Sequence, residues 1–114
     1  MSDCIFCKII AGEIPSEKIY EDDDMFAFRD ITPQAPVHFL LVPRKHITSL
    51  MAAEKGDGPL LGKMLYKAGE LAAAQGCSEK GARFVVNCGS DGNQTVDHLH
   101  IHILGGRMMM WPPG

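Results

Sequence analysis

His98-Leu99-His100-Ile101-His102-Ile103-Leu104 sets three imidazoles at strict two-residue spacing, closed by Gly105-Gly106. Side chains at i, i+2 and i+4 of a β-strand leave from one face, and the apolar residues between them occupy the other. The stretch therefore predicts a strand with a row of imidazoles on one side and core on the other. Near neutral pH an imidazole serves as nucleophile, acid, base or metal ligand, since its unperturbed pKa is about 6.5. A solvent-facing polar row and a purely metal-binding cluster are the other readings of this spacing.

The neighbouring segments supply the rest of a sheet. Lys18 to Glu21 and Met25 to Asp30 read as strands joined by the acidic turn Asp22-Asp23-Asp24. His38 to Val42 reads as a buried strand ended by Pro43, and Arg83 to Asn87 as a further one. Leu61, Met64, Leu65, Ala68, Leu71 and Ala72 recur at helical spacing, predicting a long helix over 60–74 with Gly76 as its C-cap. Cys4 to Ala11 reads as a short helical turn stopped by Gly12 and Pro15. The order predicts an α+β fold: a mainly antiparallel sheet of about five strands, one long helix and a short N-terminal helix.

The chain has 114 residues, enough for one domain over 1–114 with its own core, and a net charge of -3. No basic stripe or aromatic-basic interleaving points to nucleic acid. No apolar run approaches the ~20 residues that span a bilayer. The start lacks the charged and apolar regions of a signal peptide, so a cytoplasmic location with reduced thiols is expected. The four cysteines are then metal ligands or buried apolar residues. Cys77 and Cys88 read as buried or inert thiols, and Met108-Met109-Met110 as an adaptable apolar contact.

Gly89-Ser90-Asp91-Gly92-Asn93-Gln94-Thr95 runs directly into the histidine row. Such a loop is a hairpin connection or, beside clustered imidazoles, a phosphate cradle of backbone N–H groups. Thr95 and Asn87 would add a hydroxyl and an amide. A histidine facing that phosphate could attack it and form a covalent phosphohistidine, which favours phosphoryl or nucleotidyl transfer.

The motif His98 to Leu104 resembles the signature of the histidine triad superfamily, His-x-His-x-His followed by two apolar residues. The resemblance extends through Phe6 to Ile10, Phe28 to Ile31, Gln34 to His38, Pro43 to His46, Val86-Asn87 and the tail Gly105 to Gly114. The ending Trp111-Pro112-Pro113-Gly114 is similar to the Hint branch, the purine nucleoside phosphoramidases. A histidine rather than glutamine at His102 sets it apart from the nucleotidyltransferase branch. The resemblance implies His100 as nucleophile, His102 and His38 on the phosphate and its protons, and Thr95 where relatives often have Ser. It implies Asp30 on the ribose hydroxyls. Phe6, Ile9, Phe28 and Ile31 would form the purine slot, though Phe6 and Phe28 also read simply as core. Asn87, Asn93 and Trp111 would complete the nucleotide site. A homodimer binding an AMP or GMP moiety, with no organic cofactor, is further implied.

Cys4-x-x-Cys7 reads as a redox pair or as half of a metal site, and the βαβ context of redox pairs is missing. Relatives with this opening bind zinc, which implies Cys4, Cys7, His46 and His98 as a closed structural set. Two other activities stay open on sequence: a nucleotide-binding regulatory module with weak catalysis, and a dinucleoside polyphosphate hydrolase.

Overall fold

The computed structural model describes residues 3–114. Helix α1 (Ile5–Ile10) is followed by strands β1 (Lys18–Glu21), β2 (Met25–Arg29) and β3 (Val37–Pro43). The long helix α2 (Gly58–Ala72) precedes β4 (Ala82–Val85) and β5 (Ile101–Gly105). The strands form one antiparallel sheet in the order β1-β2-β3-β5-β4. This is the α+β architecture expected from the sequence.

The period-2 alternation explains how both faces are covered. Met25, Ala27, Phe39, Leu41, Ile101 and Ile103 point to one side and pack against Met64, Ala68 and Leu71 of α2. Phe26, Phe28, Leu40 and Val42 point to the other, where α1 covers them with Phe6 and Ile9. α1 is six residues long, too short to persist alone, so this apolar seat helps hold it in place. Cys4 is its N-cap, with Sγ accepting the N–H of Cys7 at 3.4 Å. The described residues include no helix long and apolar enough to cross a membrane.

Three boundaries differ from the sequence reading. α2 begins at Gly58, with Pro59 in its first turn, and the chain after Ala72 continues as a wider turn to Gly76, whose φ of 97° ends it. β4 stops at Val85, before Val86-Asn87. The histidine segment enters the sheet only at Ile101, so His98 and His100 precede the ladder. The cause lies in its neighbours: β4 stops at Val85, opposite His102, and β3 ends at Pro43, which has no N–H to give the ladder. Leu99 N–H instead donates to the Ile47 carbonyl at 2.7 Å, which keeps the run extended beside 43–47.

Candidate active site and metal centre

The imidazole row survives the short ladder. His98 and His100 share Phe6, which meets their rings edge-on at centroid distances of 5.9 and 5.1 Å. His100 and His102 rings are 5.0 Å apart, and His102 and His38 rings 5.3 Å. His38, His98 and His100 are buried, while His102 is partly open.

Main-chain partners assign the proton on each ring, because a carbonyl only accepts and an amide N–H only donates. His100 Nδ1–H donates to the His98 carbonyl at 2.7 Å, leaving Nε2 with its lone pair free for attack. His98 Nε2–H donates to the Pro43 carbonyl at 2.8 Å, leaving Nδ1 as its lone-pair atom. The Gln34 N–H donates to His38 Nδ1 at 3.0 Å, so the His38 proton sits on Nε2. From there it is donated to His102 Nδ1 at 3.0 Å, with Asp30 Oδ2 at 3.4 Å. His102 is thereby left with Nε2–H as its free donor.

Burial holds His102 down to a pKa of about 4, with His100 and His38 adding repulsion and Asp30 opposing it. Burial also lowers His38, again against the pull of Asp30. His98 is lowered chiefly by burial. His38 and His102 are accordingly neutral at pH 7.

A cavity of about 360 Å³ opens beside the row. Phe6, Ile9, Phe28, Asp30, Ile31, Thr95, His100 and His102 of the expected site line it. Ile31 is 96 % exposed, an apolar side chain at the rim rather than core. Ile14, Pro15, Leu40 and Val96 also line the cavity and were not singled out by sequence. Their only signal was an apolar pair after α1 and two core-like positions. Asn87, Asn93 and Trp111 are not among the lining residues. Trp111 is exposed beside Arg83, whose guanidinium lies 6.0 Å from its ring centroid. Asn93 sits at φ 61°, a left-handed position that asparagine tolerates better than most residues. The loop before Thr95 is less of a cradle than its glycines suggest. The N–H groups of Gly89, Asn93 and Gln94 are taken by Gln94 Oε1, Ser90 O and Gly89 O.

Cys4, Cys7, His46 and His98 bring four donor atoms within 4.8 Å of one another. Tetrahedral zinc, with bonds of about 2.3 Å to sulfur and about 2.05 Å to nitrogen, places those ligands about 3.5 Å apart. The observed separations are 3.3 Å for Cys4 Sγ to His98 Nδ1, 3.4 Å for Cys7 Sγ to His46 Nδ1, and 3.6 Å for Cys7 Sγ to His98 Nδ1. His98 also presents the correct ring nitrogen, its other one being held by a carbonyl as zinc-ligating imidazoles usually are. The residues fit the metal. Asp30, His38 and His102 form a second close group, but Gln34 keeps the proton on the His38 nitrogen that would have to ligate. The three are joined instead through the His38 Nε2–H.

Cys77 is buried, as expected. Cys88 is not buried as Cys77 is. It is half-buried, and hydrogen bonds from the Ser49 hydroxyl and from the Met51 and Leu50 backbone hold it below the ordinary thiol range.

The family profile described as "Scavenger mRNA decapping enzyme C-term binding" matches residues 3–111. A HIT family hydrolase from Legionella pneumophila superposes with a TM-score of 0.96 at 51% identity, covering 98% of this chain and 100% of that one. The chain belongs to the histidine triad family. Two curated relatives of this histidine triad protein carry more specific names. One, from Brassica juncea, is named "14 kDa zinc-binding protein" and is 53% identical, over 98% of this chain and 100% of its own length. The other, "Adenylylsulfatase HINT1" of Arabidopsis thaliana, is 51% identical, over 99% of this chain and 78% of its own length.

Proposed function

We propose that this histidine triad protein is a purine nucleoside phosphoramidase, hydrolysing the P–N bond of adenosine or guanosine 5′-phosphoramidates. The observation that carries this reading is His100, whose Nδ1 lies 2.7 Å from the His98 carbonyl, so that the neutral ring offers its Nε2 lone pair from the wall of an apolar cavity that Asp30 also lines. The purine would lie among Phe6, Ile9, Phe28 and Ile31, and the ribose hydroxyls would donate to Asp30. The phosphate would meet Thr95 and the Nε2–H of His102, with Asn87, Asn93 and Trp111 as outlying nucleotide contacts.

The bound phosphate anion favours one added proton on the His38–His102 pair. His100 Nε2 attacks phosphorus, the P–N bond breaks, and the amine leaves with that proton. The positive charge growing on the His100 ring is met by the His98 carbonyl through Nδ1–H. Water then attacks phosphorus and returns its proton to the pair. The bond to His100 breaks and the nucleoside monophosphate departs. Zinc on Cys4, Cys7, His46 and His98 would be structural, with no open position for substrate.

Exposed apolar side chains on α2 (Leu65, Tyr66) and on the edge strand β4 (Phe84) support a homodimer. The absence of a basic stripe supports a small-molecule substrate rather than nucleic acid, and the reduced-thiol chemistry of the metal set suits the cytoplasm.

The test is turnover of adenosine 5′-phosphoramidate beside adenylyl sulfate and a diadenosine polyphosphate, with acid quench to trap AMP on His100. Preferred cleavage of the P–N substrate supports the proposal. Preference for the sulfate would align this chain with the activity in its Arabidopsis relative's name and overturn the amine assignment. Nucleotide binding without turnover of any of the three would make it a binding module.

A further inference from the structure

We propose that Arg107 is a positioning residue: from the C-terminal tail it holds the loop whose backbone amide places the proton on the His38–His102 pair. The chain of contacts is short. Arg107 Nε–H donates to the Gln34 carbonyl at 3.0 Å. The Gln34 N–H donates to His38 Nδ1 at 3.0 Å, and His38 Nε2–H donates to His102 Nδ1 at 3.0 Å.

Residues 31–34 are exposed, so no buried side chain of their own anchors the Gln34 peptide. Inside the loop, Thr32 N–H is held by Asp30 Oδ1 at 2.8 Å, and Gln34 Nε2 reaches the Thr32 carbonyl at 3.0 Å. These bonds tie the loop to itself and to Asp30. The outside brace comes from the tail. Gly106 turns there at φ 89°, so close to Pro36 that an added Cβ would lie 2.8 Å from the proline Cβ. Arg107 follows directly and takes the Gln34 carbonyl. Its side chain lines no part of the nucleotide cavity, so it acts only through the loop.

Without the brace, the Gln34 amide no longer dictates which His38 nitrogen is protonated. The His38 ring then divides between its two neutral tautomers. In the second, Nε2 is a lone pair facing the lone pair of His102 Nδ1, and the shared hydrogen bond is lost.

The experiment reads the tautomer directly, by 15N NMR of the imidazole nitrogens in metal-loaded full-length protein at pH 7.5. The parent should show His38 with an unprotonated Nδ1 and a protonated Nε2. Arg107→Met should move both resonances toward the averaged position, and Gln34→Pro, which deletes the N–H itself, should do the same. Arg83→Met frees the tail elsewhere, at the Met110 carbonyl, and should leave the His38 pattern intact. Should Arg107→Met fail to fold, Arg107→Lys retains a donor without the planar fork and must shift the same resonances in the same direction. Unchanged His38 resonances in a folded Arg107 variant, with Gln34→Pro shifted, would overturn the proposal. So would a shift of equal size in Arg83→Met.

A kinetic arm rests on the phosphoramidase reading: kcat should fall roughly tenfold to a hundredfold in Arg107→Met, with KM within about twofold. If the parent turns over no phosphoramidate, that reading fails while the NMR result still decides the role of Arg107.

Discussion

Replacing His100 with glycine is expected to lower kcat by roughly a thousandfold or more while AMP still binds, because the loss falls on a covalent bond made only during reaction. Stopped-flow turnover and equilibrium nucleotide binding check the two halves separately, and substantial retained kcat would remove His100 from the nucleophile role. Asp30 needs a sharper comparison. Its Oδ1 already accepts Thr32 N–H and its Oδ2 faces His38, so Asp30→Ala disturbs loop and proton pair as well as ribose. Ribonucleotide binding should weaken by about 1.5–3 kcal/mol, and 2′-deoxynucleotide binding by clearly less. Equal losses would assign Asp30 to the loop alone. His102 carries the pH prediction. Its folded pKa of about 4 lies below the unfolded value of about 6.5, so the unfolded chain binds more protons between the two. Stability from this ring is present above pH 6.5 and is lost as pH falls toward 4. The loss is on the order of 2 kcal/mol once solvent screening of a half-buried ring is allowed for. Urea unfolding across that window, compared with His102→Gln, checks it. At pH 7.5 AMP binding should take up part of a proton, seen by calorimetry in buffers of different ionisation enthalpy and absent in His102→Gln.

At the scale of elements, α1 joins the candidate metal set to the cavity. Its N-cap Cys4 and its Cys7 belong to the metal set, and its Phe6 and Ile9 line the cavity. Cys4→Ser with Cys7→Ser should abolish stoichiometric zinc and lower the melting temperature, since binding free energy is partly folding free energy. Because α1 is six residues long, the same variant should also raise KM for purine nucleotides several-fold, with kcat largely kept. A metal-free variant that binds nucleotide normally but is catalytically dead would make zinc part of the chemistry. The Cys-x-x-Cys half of the candidate metal set was legible from its spacing, while His46 and His98 were picked out only by the resemblance to zinc-binding relatives. The strands were legible as continuous apolar runs, Met25-Phe26-Ala27-Phe28 and Phe39-Leu40-Leu41-Val42, bounded by the acidic turn at 22–24 and by Pro43. The late start of β5 was not, because it depends on where two distant strands stop. Gln34 was not legible either: a peptide N–H leaves no mark on side-chain identity, and its role exists only once β3 and the loop are folded.

At the scale of the molecule, the fold leaves Leu65 and Tyr66 on α2 at 62% and 72% exposure, and Phe84 on the edge strand at 40%. Sedimentation should therefore report a dimer, and Leu65→Asp with Tyr66→Asp should shift it to monomer. A parent that sediments as a monomer at micromolar concentration would leave the dimer without support.

Pro43 carbonyl, His98 carbonyl and Gln34 amide set the protons of three imidazoles, and all three are main-chain groups. Substituting the residues that carry them leaves the peptide groups in place, proline at position 34 excepted. The protonation pattern is thus inherited with the path of the backbone. Drift in the apolar side chains of the cavity can retune which nucleotide or leaving group is accepted without rewriting the acid–base chemistry. A laboratory search for new substrates on this scaffold can therefore randomise the apolar cavity walls, provided Asp30, Thr95, His100, His102 and the Arg107 brace are kept and the loop at 31–36 and the run at 96–100 hold their course.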